Sequence, residues 1–166
     1  WRKKFKGTNI DIHGLDAWEY TYINESFPSD ITYDIKQLNI LNIDIECECE
    51  NGFPEPTEAE EKVNAITMKL FGHDTIHVIG TDNFDFKTDN PNVKYHKCQH
   101  EKQLLKTFMK VWDELEPDVV TGWNVETFDI AYLVNRIWKL FDWDTATQLS
   151  PHNLVTSREW LYMGQK

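Results

Sequence analysis

Hydrophobic and polar residues alternate most cleanly through Leu41-Asn42-Ile43-Asp44-Ile45-Glu46. Residues two apart on a strand share a face, so Ile43 and Ile45 turn toward a core while Asp44 and Glu46 turn away from it. The pattern predicts a central strand over residues 37–46. Residues 65–71 also alternate, Gly72-His73-Asp74 form a turn, and residues 75–79 return, which is a hairpin signal. A further strand is expected over 92–98, completing an antiparallel meander. Helical spacing then takes over from 100 to 116, where Leu104, Leu105, Phe108, Val111, Trp112 and Leu115 recur on one side. Pro117 ends that helix. Residues 118–122 are short and β-branched and read as a buried parallel strand. A second long helix is expected from Asn124, its N-cap, to about Phe141, with Asp129 in its second turn. Near the ends, residues 18–23 read as a strand before a turn around Pro28, and 160–162 as the start of a hairpin. Phe5, Ile10, Ile12 and Leu15 are candidates for packing.

This order of elements defines an α/β domain, a mixed sheet of antiparallel meander plus parallel strand flanked by helices. Residues 1–36 read as a lead-in or the tail of a preceding domain, and 37–166 as the main domain. The 166 residues suffice for one true core, and 40% hydrophobic content with seven Trp and nine Phe excludes a disordered chain. Trp138 and Trp143 are expected to pack in that core. No apolar run reaches transmembrane length, and an intracellular setting without membrane is expected. The chain begins at Trp1 rather than Met and stops at Lys166 in mid-pattern, so it is expected to be a piece of a longer protein, truncated at both ends.

The formal charge of −11 runs against phosphate binding through a basic surface. Divalent ions offsetting the acids would change that picture. Asp44 and Glu46 lie two strand rises apart, roughly 7 Å, and repel each other unless a proton or cation sits between them. Oxygen-only ligands suit Mg²⁺ or Mn²⁺. Taken alone, Asp-x-Glu also fits an edge strand with solvated acids, and Asp129 an ordinary helix surface residue. Asp129 follows the end of a parallel strand, where ligands bind in open α/β sheets. The loop Gly52-Phe53-Pro54-Glu55-Pro56 is stiffened by two prolines. Its Phe53 either tucks into the core or stacks on a base. Cys47 and Cys49 are expected on the apolar face of the central strand as reduced core residues, and His96, Cys98 and His100 as solvated strand residues.

Ile43-Asp44-Ile45-Glu46 resembles the first exonuclease motif of family B DNA polymerases, and Asn124 to Asp129 resembles their second. The Gly52–Pro56 loop, Thr121-Gly122-Trp123-Asn124 and Leu149-Ser150-Pro151-His152 are similar to the replicative polymerases of T-even-like bacteriophages. The match runs from about Gly14 to Pro151, with its motifs in order. The resemblance implies a ribonuclease-H-like fold and 3′→5′ proofreading of a single-stranded primer end. It implies two Mg²⁺ or Mn²⁺ ions, with Asp44 bridging both, Glu46 on the first and Asp129 on the second. It implies that Phe53 stacks at the frayed terminal bases and that Asn124 and Phe128 line the single-strand slot. Polymerase domains and other replication proteins are the implied partners, and host cytoplasm the implied location for a phage protein.

The family's third motif, a Tyr with an Asp four residues later, is missing. His77 and Asp82 imitate a variant of it but precede the second motif and are rejected. With three acids of four, weak metal binding and little or no turnover are expected. Two other functions compete: a non-catalytic nucleic-acid-binding module, and a docking domain whose exposed aromatics engage other replication proteins.

Overall fold

The computed structural model describes residues 18–30, 32, 34–50, 52–81 and 87–157. The chain divides into two compact units, one ending at Ile35 and the other beginning at Lys36. The candidate packing residues Phe5, Ile10, Ile12 and Leu15, the rejected Asp82, and the hairpin expected at 160–162 lie outside the described residues. In the first unit a helix, α1 (Trp18–Ser26), stands where residues 18–23 read as a strand. Tyr20, Tyr22 and Ile23 are all exposed. A strand needs a neighbour to satisfy its backbone, whereas a helix closes its hydrogen bonds within itself. With neither face buried, the self-contained option prevails.

The second unit is built on one sheet. Among the described residues its strands are β1 (Ile40–Cys47), β2 (Val63–Leu70), β3 (Ile76–Thr81), β4 (Val93–Cys98) and β5 (Val119–Thr121), in the order β4-β3-β2-β1-β5. β1 pairs antiparallel with β2, and β2 with β3. β5 lies parallel to β1, as expected. β4 runs parallel to β3, so the antiparallel meander stops one strand early. The connection from Thr81 to Val93 is too long for a tight hairpin and permits the crossover that parallel pairing requires.

β1 alternates as its sequence predicts, with Leu41, Ile43 and Ile45 buried and Asn42, Asp44 and Glu46 exposed. The buried set packs with Leu104, Leu105 and Phe108 of α2 (Glu101–Leu115) and with Leu133 and Ile137 of α3 (Asp129–Leu140). Each such side chain contributes about 1.5–3 kcal/mol on burial. A slip of one residue would put two carboxylates into the core, so the register is strongly specified.

Several local readings are corrected. β5 is parallel but not buried, because it is short and Val119 and Thr121 are exposed. Cys49 is exposed, beyond the end of β1, because a register shift between Glu46 and Cys47 breaks the alternation. Cys47 is half-buried, and burial pushes its thiol up to about 12. Of the alternating His96, Cys98 and His100, Cys98 is buried, and His100 caps α2 by accepting from the Gln103 N–H at 3.2 Å. His96 meets His77 of β3 at 3.2 Å between ring nitrogens. With centroids 5.4 Å apart, the two rings meet edge to edge rather than face to face. Trp138 and the Trp143 of α4 (Trp143–Thr147) are partly exposed and pack on each other with centroids 5.2 Å apart. Leu133 and Ile137 already take the sheet-facing side of α3, and Trp138 falls just off that stripe.

The end of β5 is set by close approach. A Cβ built on Gly122 would stand 2.5 Å from the carbonyl oxygen of Ile43. Only glycine lets the chain leave the sheet there against β1. Gly122→Ala is expected to destabilise the domain by about 1–3 kcal/mol through a forced main-chain shift. An unchanged denaturation midpoint would contradict this.

Candidate active site

Beyond Gly122 the chain turns before it becomes helical. Asn124 adopts a left-handed backbone with φ 58°, which Asn tolerates better than most residues. Its carbonyl accepts from the N–H groups of Thr127 and Phe128 at 3.2 and 3.0 Å. Its side-chain oxygen accepts from the Thr127 hydroxyl. Asn124 therefore opens a turn and does not cap the helix; Phe128 holds the cap position and α3 begins at Asp129. Asp129 lies in the first turn, not the second.

That placement determines the environment of Asp129, which is 3% exposed. Its Oδ1 accepts the N–H of Ile45 at 3.0 Å. Ile45 stands between Asp44 and Glu46 in β1, past the point where β5 has ended. Burial lifts the Asp129 carboxyl above the usual carboxylate range. The Ile45 N–H opposes that rise, and the negative charges of Asp44 and Glu46 add to it. Asp129 is thus brought within electrostatic reach of Asp44 and Glu46, which lie more than eighty positions away in the chain.

Two aromatics flank them. Phe53 is 84% exposed, so it is not tucked into the core. Its ring lies 5.2 Å from that of Phe128, and Phe128 lies 5.6 Å from Tyr132. Phe53, Phe128 and Asn124 accordingly border the segment that delivers Asp129.

A buried ion pair supports this arrangement. Arg136 donates two bonds to Glu101, each 2.7 Å. Its Nη1 donates to the carbonyls of Ala59 and Glu60 at 2.9 and 2.7 Å. Glu101 also accepts from the Val63 N–H at 2.9 Å. Burial pulls the Arg136 guanidinium down, but the hydrogen bonds and charge of Glu101 outweigh it and leave the value raised. Sequence reasoning missed both residues. The signal was Arg136 itself, set between Leu133-Val134 and Ile137, since an arginine in an apolar stripe demands a partner.

Among the described residues, no three His, Cys, Asp or Glu side chains form a ready-made metal site. The donor chemistry nonetheless suits a hard cation, because among the described residues the charged groups that bear on Asp129 are two further carboxylates.

The fold is a mixed five-stranded sheet whose first strand carries Asp-x-Glu, with a third acid at the start of a following helix. The chain belongs to the DNA polymerase family B exonuclease domain family, whose pattern matches residues 8–166. It is 30% identical over 175 residues to the DNA-directed DNA polymerase of Escherichia phage RB69, covering 92% of this chain and 19% of that one. It is 25% identical over 181 residues to the DNA-directed DNA polymerase of Enterobacteria phage T4, covering 95% and 20%. The DNA polymerase delta catalytic subunit of Schizosaccharomyces pombe is 29% identical over 100 residues, 60% of this chain and 9% of that one. The chain spans about a fifth of the length of its phage relatives.

The raised pKa of Asp129 has a consequence for stability. A folded state that raises an acid's pKa favours its neutral form. The resulting stability is complete below the unfolded carboxyl range and is lost as pH rises through the folded value. Asparagine keeps a neutral acceptor for the Ile45 N–H at every pH. In metal-free buffer, Asp129→Asn is expected to raise the melting midpoint at neutral pH by roughly 2–4 °C and to change little near pH 3. Equal midpoints for both proteins at neutral pH would contradict this.

Proposed function

We propose that this chain carries the acidic, primer-end-binding part of a 3′→5′ proofreading exonuclease site. The observation that supports this best is the Asp129 carboxylate seated on the Ile45 N–H, within reach of Asp44 and Glu46. Asp44, Glu46 and Asp129 would hold Mg²⁺ or Mn²⁺. When bound, the ions supply charge neutralisation and Lewis acidity for hydrolysis of the terminal phosphodiester. The protein's share is to hold three anionic oxygen donors against their mutual repulsion.

Phe53 and Phe128 offer a hydrophobic surface on which unpaired terminal bases stack. Asn124, exposed in the turn between them and β5, lines the same slot. Stacking tolerates any base, which proofreading requires. A paired end keeps its bases stacked within the duplex, so the slot selects frayed ends. The sequence carries no Tyr with an Asp four residues on, the fourth acid of the family's site. This chain by itself is therefore expected to bind metal weakly and turn over little. The polymerase domains and other replication proteins would be its partners within a longer protein.

A docking role is the second reading. It is favoured by the Trp138–Trp143 pair, which leaves both indoles partly exposed. Titration with Mn²⁺, followed by the resonance of the free ion, separates the two. Asp44→Ala is expected to weaken Mn²⁺ binding at least tenfold, and to abolish metal-dependent cleavage in a longer protein containing this domain. Phe53→Ala is expected to weaken binding of a single-stranded 3′ end by about 5- to 100-fold. Mn²⁺ affinity indifferent to Asp44→Ala would overturn the exonuclease reading and leave the non-catalytic ones, of which binding of a single-stranded oligonucleotide separates nucleic-acid binding from docking.

A further inference from the structure

The loop that presents Phe53 is tied down by one face of α3. Tyr132 donates its hydroxyl to the Glu61 carbonyl at 2.6 Å, and Asn135 its amide to the Pro56 carbonyl at 2.9 Å. Arg136 donates to the Ala59 and Glu60 carbonyls, as described above. Lys139 donates to the Glu58 carbonyl at 3.3 Å and pairs with the Glu60 carboxylate at 2.5 Å. Positions 132, 135, 136 and 139 follow the spacing of a single helical face. Four donor side chains thus meet five carbonyls of one loop, those of Pro56, Glu58, Ala59, Glu60 and Glu61. The same helix starts with Asp129 and is preceded directly by Phe128.

We infer that this donor face is a clamp that sets the Phe53–Phe128 contact relative to the acids, and that Asn135 and Arg136 are positioning residues for the DNA end. The inference rests on the exonuclease reading of that pair. Its physical basis is that Phe53 is held by little else. At 84% exposure the ring has Phe128 as its neighbour and few atoms of core to fix it. Pro54, itself buried, and Pro56 stiffen the segment between Phe53 and its nearest hydrogen-bonded tie to α3, the Asn135 bond to Pro56. A displacement at Pro56 is therefore transmitted to Phe53 rather than absorbed. Arg136 fixes the far arm of the loop and, through Glu101, locks it to the start of α2. Arginine suits this place because its planar fork serves a carboxylate and two carbonyls at once, which lysine does not.

The test uses two readouts. p-Fluorophenylalanine at position 53 gives a fluorine resonance that reports the contact with Phe128 without any DNA. Binding of a single-stranded oligonucleotide with a fluorescent 3′-terminal base, in Ca²⁺, reports the DNA end. Asn135→Ala spares the buried ion pair. It is expected to move the fluorine resonance toward its free position and to weaken oligonucleotide binding about fivefold, the effect of one lost hydrogen bond. Combined with Phe53→Ala it should weaken binding no further than Phe53→Ala alone. Arg136→Lys is expected to broaden or shift the same resonance with the fold intact. A fluorine resonance unmoved by either substitution would overturn the clamp, as would fully additive losses of binding. If Phe53→Ala itself leaves oligonucleotide binding unchanged, the exonuclease reading of Phe53 fails, and the fluorine readout still decides whether the clamp exists.

Discussion

The hydrogen bond from the Ile45 N–H to Asp129 organises the rest of the site. β1 is paired on one side by β2 along its whole length, but β5 covers only its first part. Had β5 continued, its backbone would have taken the Ile45 N–H and completed an ordinary ladder. Instead the chain leaves at Gly122, and a side chain supplies the missing acceptor. A bond to a charged group is worth about 1.5–3 kcal/mol net, enough to hold a carboxylate beside two others. Burial raises the Asp129 carboxyl above the usual carboxylate range, and the charges of Asp44 and Glu46 add to that rise. Gathering buried and neighbouring carboxyls in this way costs stability at neutral pH.

The donor face of α3 and the buried Arg136–Glu101 pair solve a second problem, that of loop placement. The loop segment 56–61 lies outside the sheet ladders, and each buried carbonyl without a donor costs free energy. Here side chains of one rigid helix provide the donors. The loop is fixed to the element that also delivers Asp129, so acid and aromatic move as one body. Glu101 extends the connection to α2, which packs on the sheet bearing Asp44 and Glu46. A site made from three distant segments keeps its dimensions because each is tied to the others through buried, directional bonds. The −11 charge of the chain fits such a site better than a basic groove. Affinity for a DNA end would come from stacking and from cations held locally, not from lysines along a surface.

What the sequence made legible follows from the range of the forces involved. The alternation of β1 and the apolar stripe of α2 are local patterns read by one buried face, and both elements formed with ends shifted by only a few residues. Asp44 and Glu46 were legible for the same reason, since alternation alone assigns them to the exposed face. The direction of β4 was not, because it depends on how a long connection closes in space. The helix at Trp18–Ser26 was not, because alternating apolar residues mean a strand only where there is something to bury them against. Cys49 was misassigned by extrapolating alternation past a bulge. Trp138 and Trp143 were misassigned by composition, since large aromatics are usually core residues but a helix has only one core-facing stripe. Arg136 and Glu101 lie thirty-five positions apart, and their pairing belongs to tertiary packing alone.

Asn124 shows how a small local error decides geometry. As an N-cap it would place Asp129 more than a turn inside the helix, about 6 Å further along from its start. At that depth the Ile45 N–H would have no acceptor, and Asp44 and Glu46 would stand alone. The left-handed backbone at Asn124, held by Thr127, instead consumes four residues in a turn before the helix begins. Asp129 then emerges at the helix start, where the positive end of the helix dipole favours a negative charge. The positive φ sits two residues after Gly122, whose replacement by any larger residue would force a main-chain shift against β1. Backbone conformations of this kind gather at functional sites because only the surrounding packing can enforce them. The meeting of the three acids is therefore specified less by the acids themselves than by Gly122 and Asn124, which carry no charge.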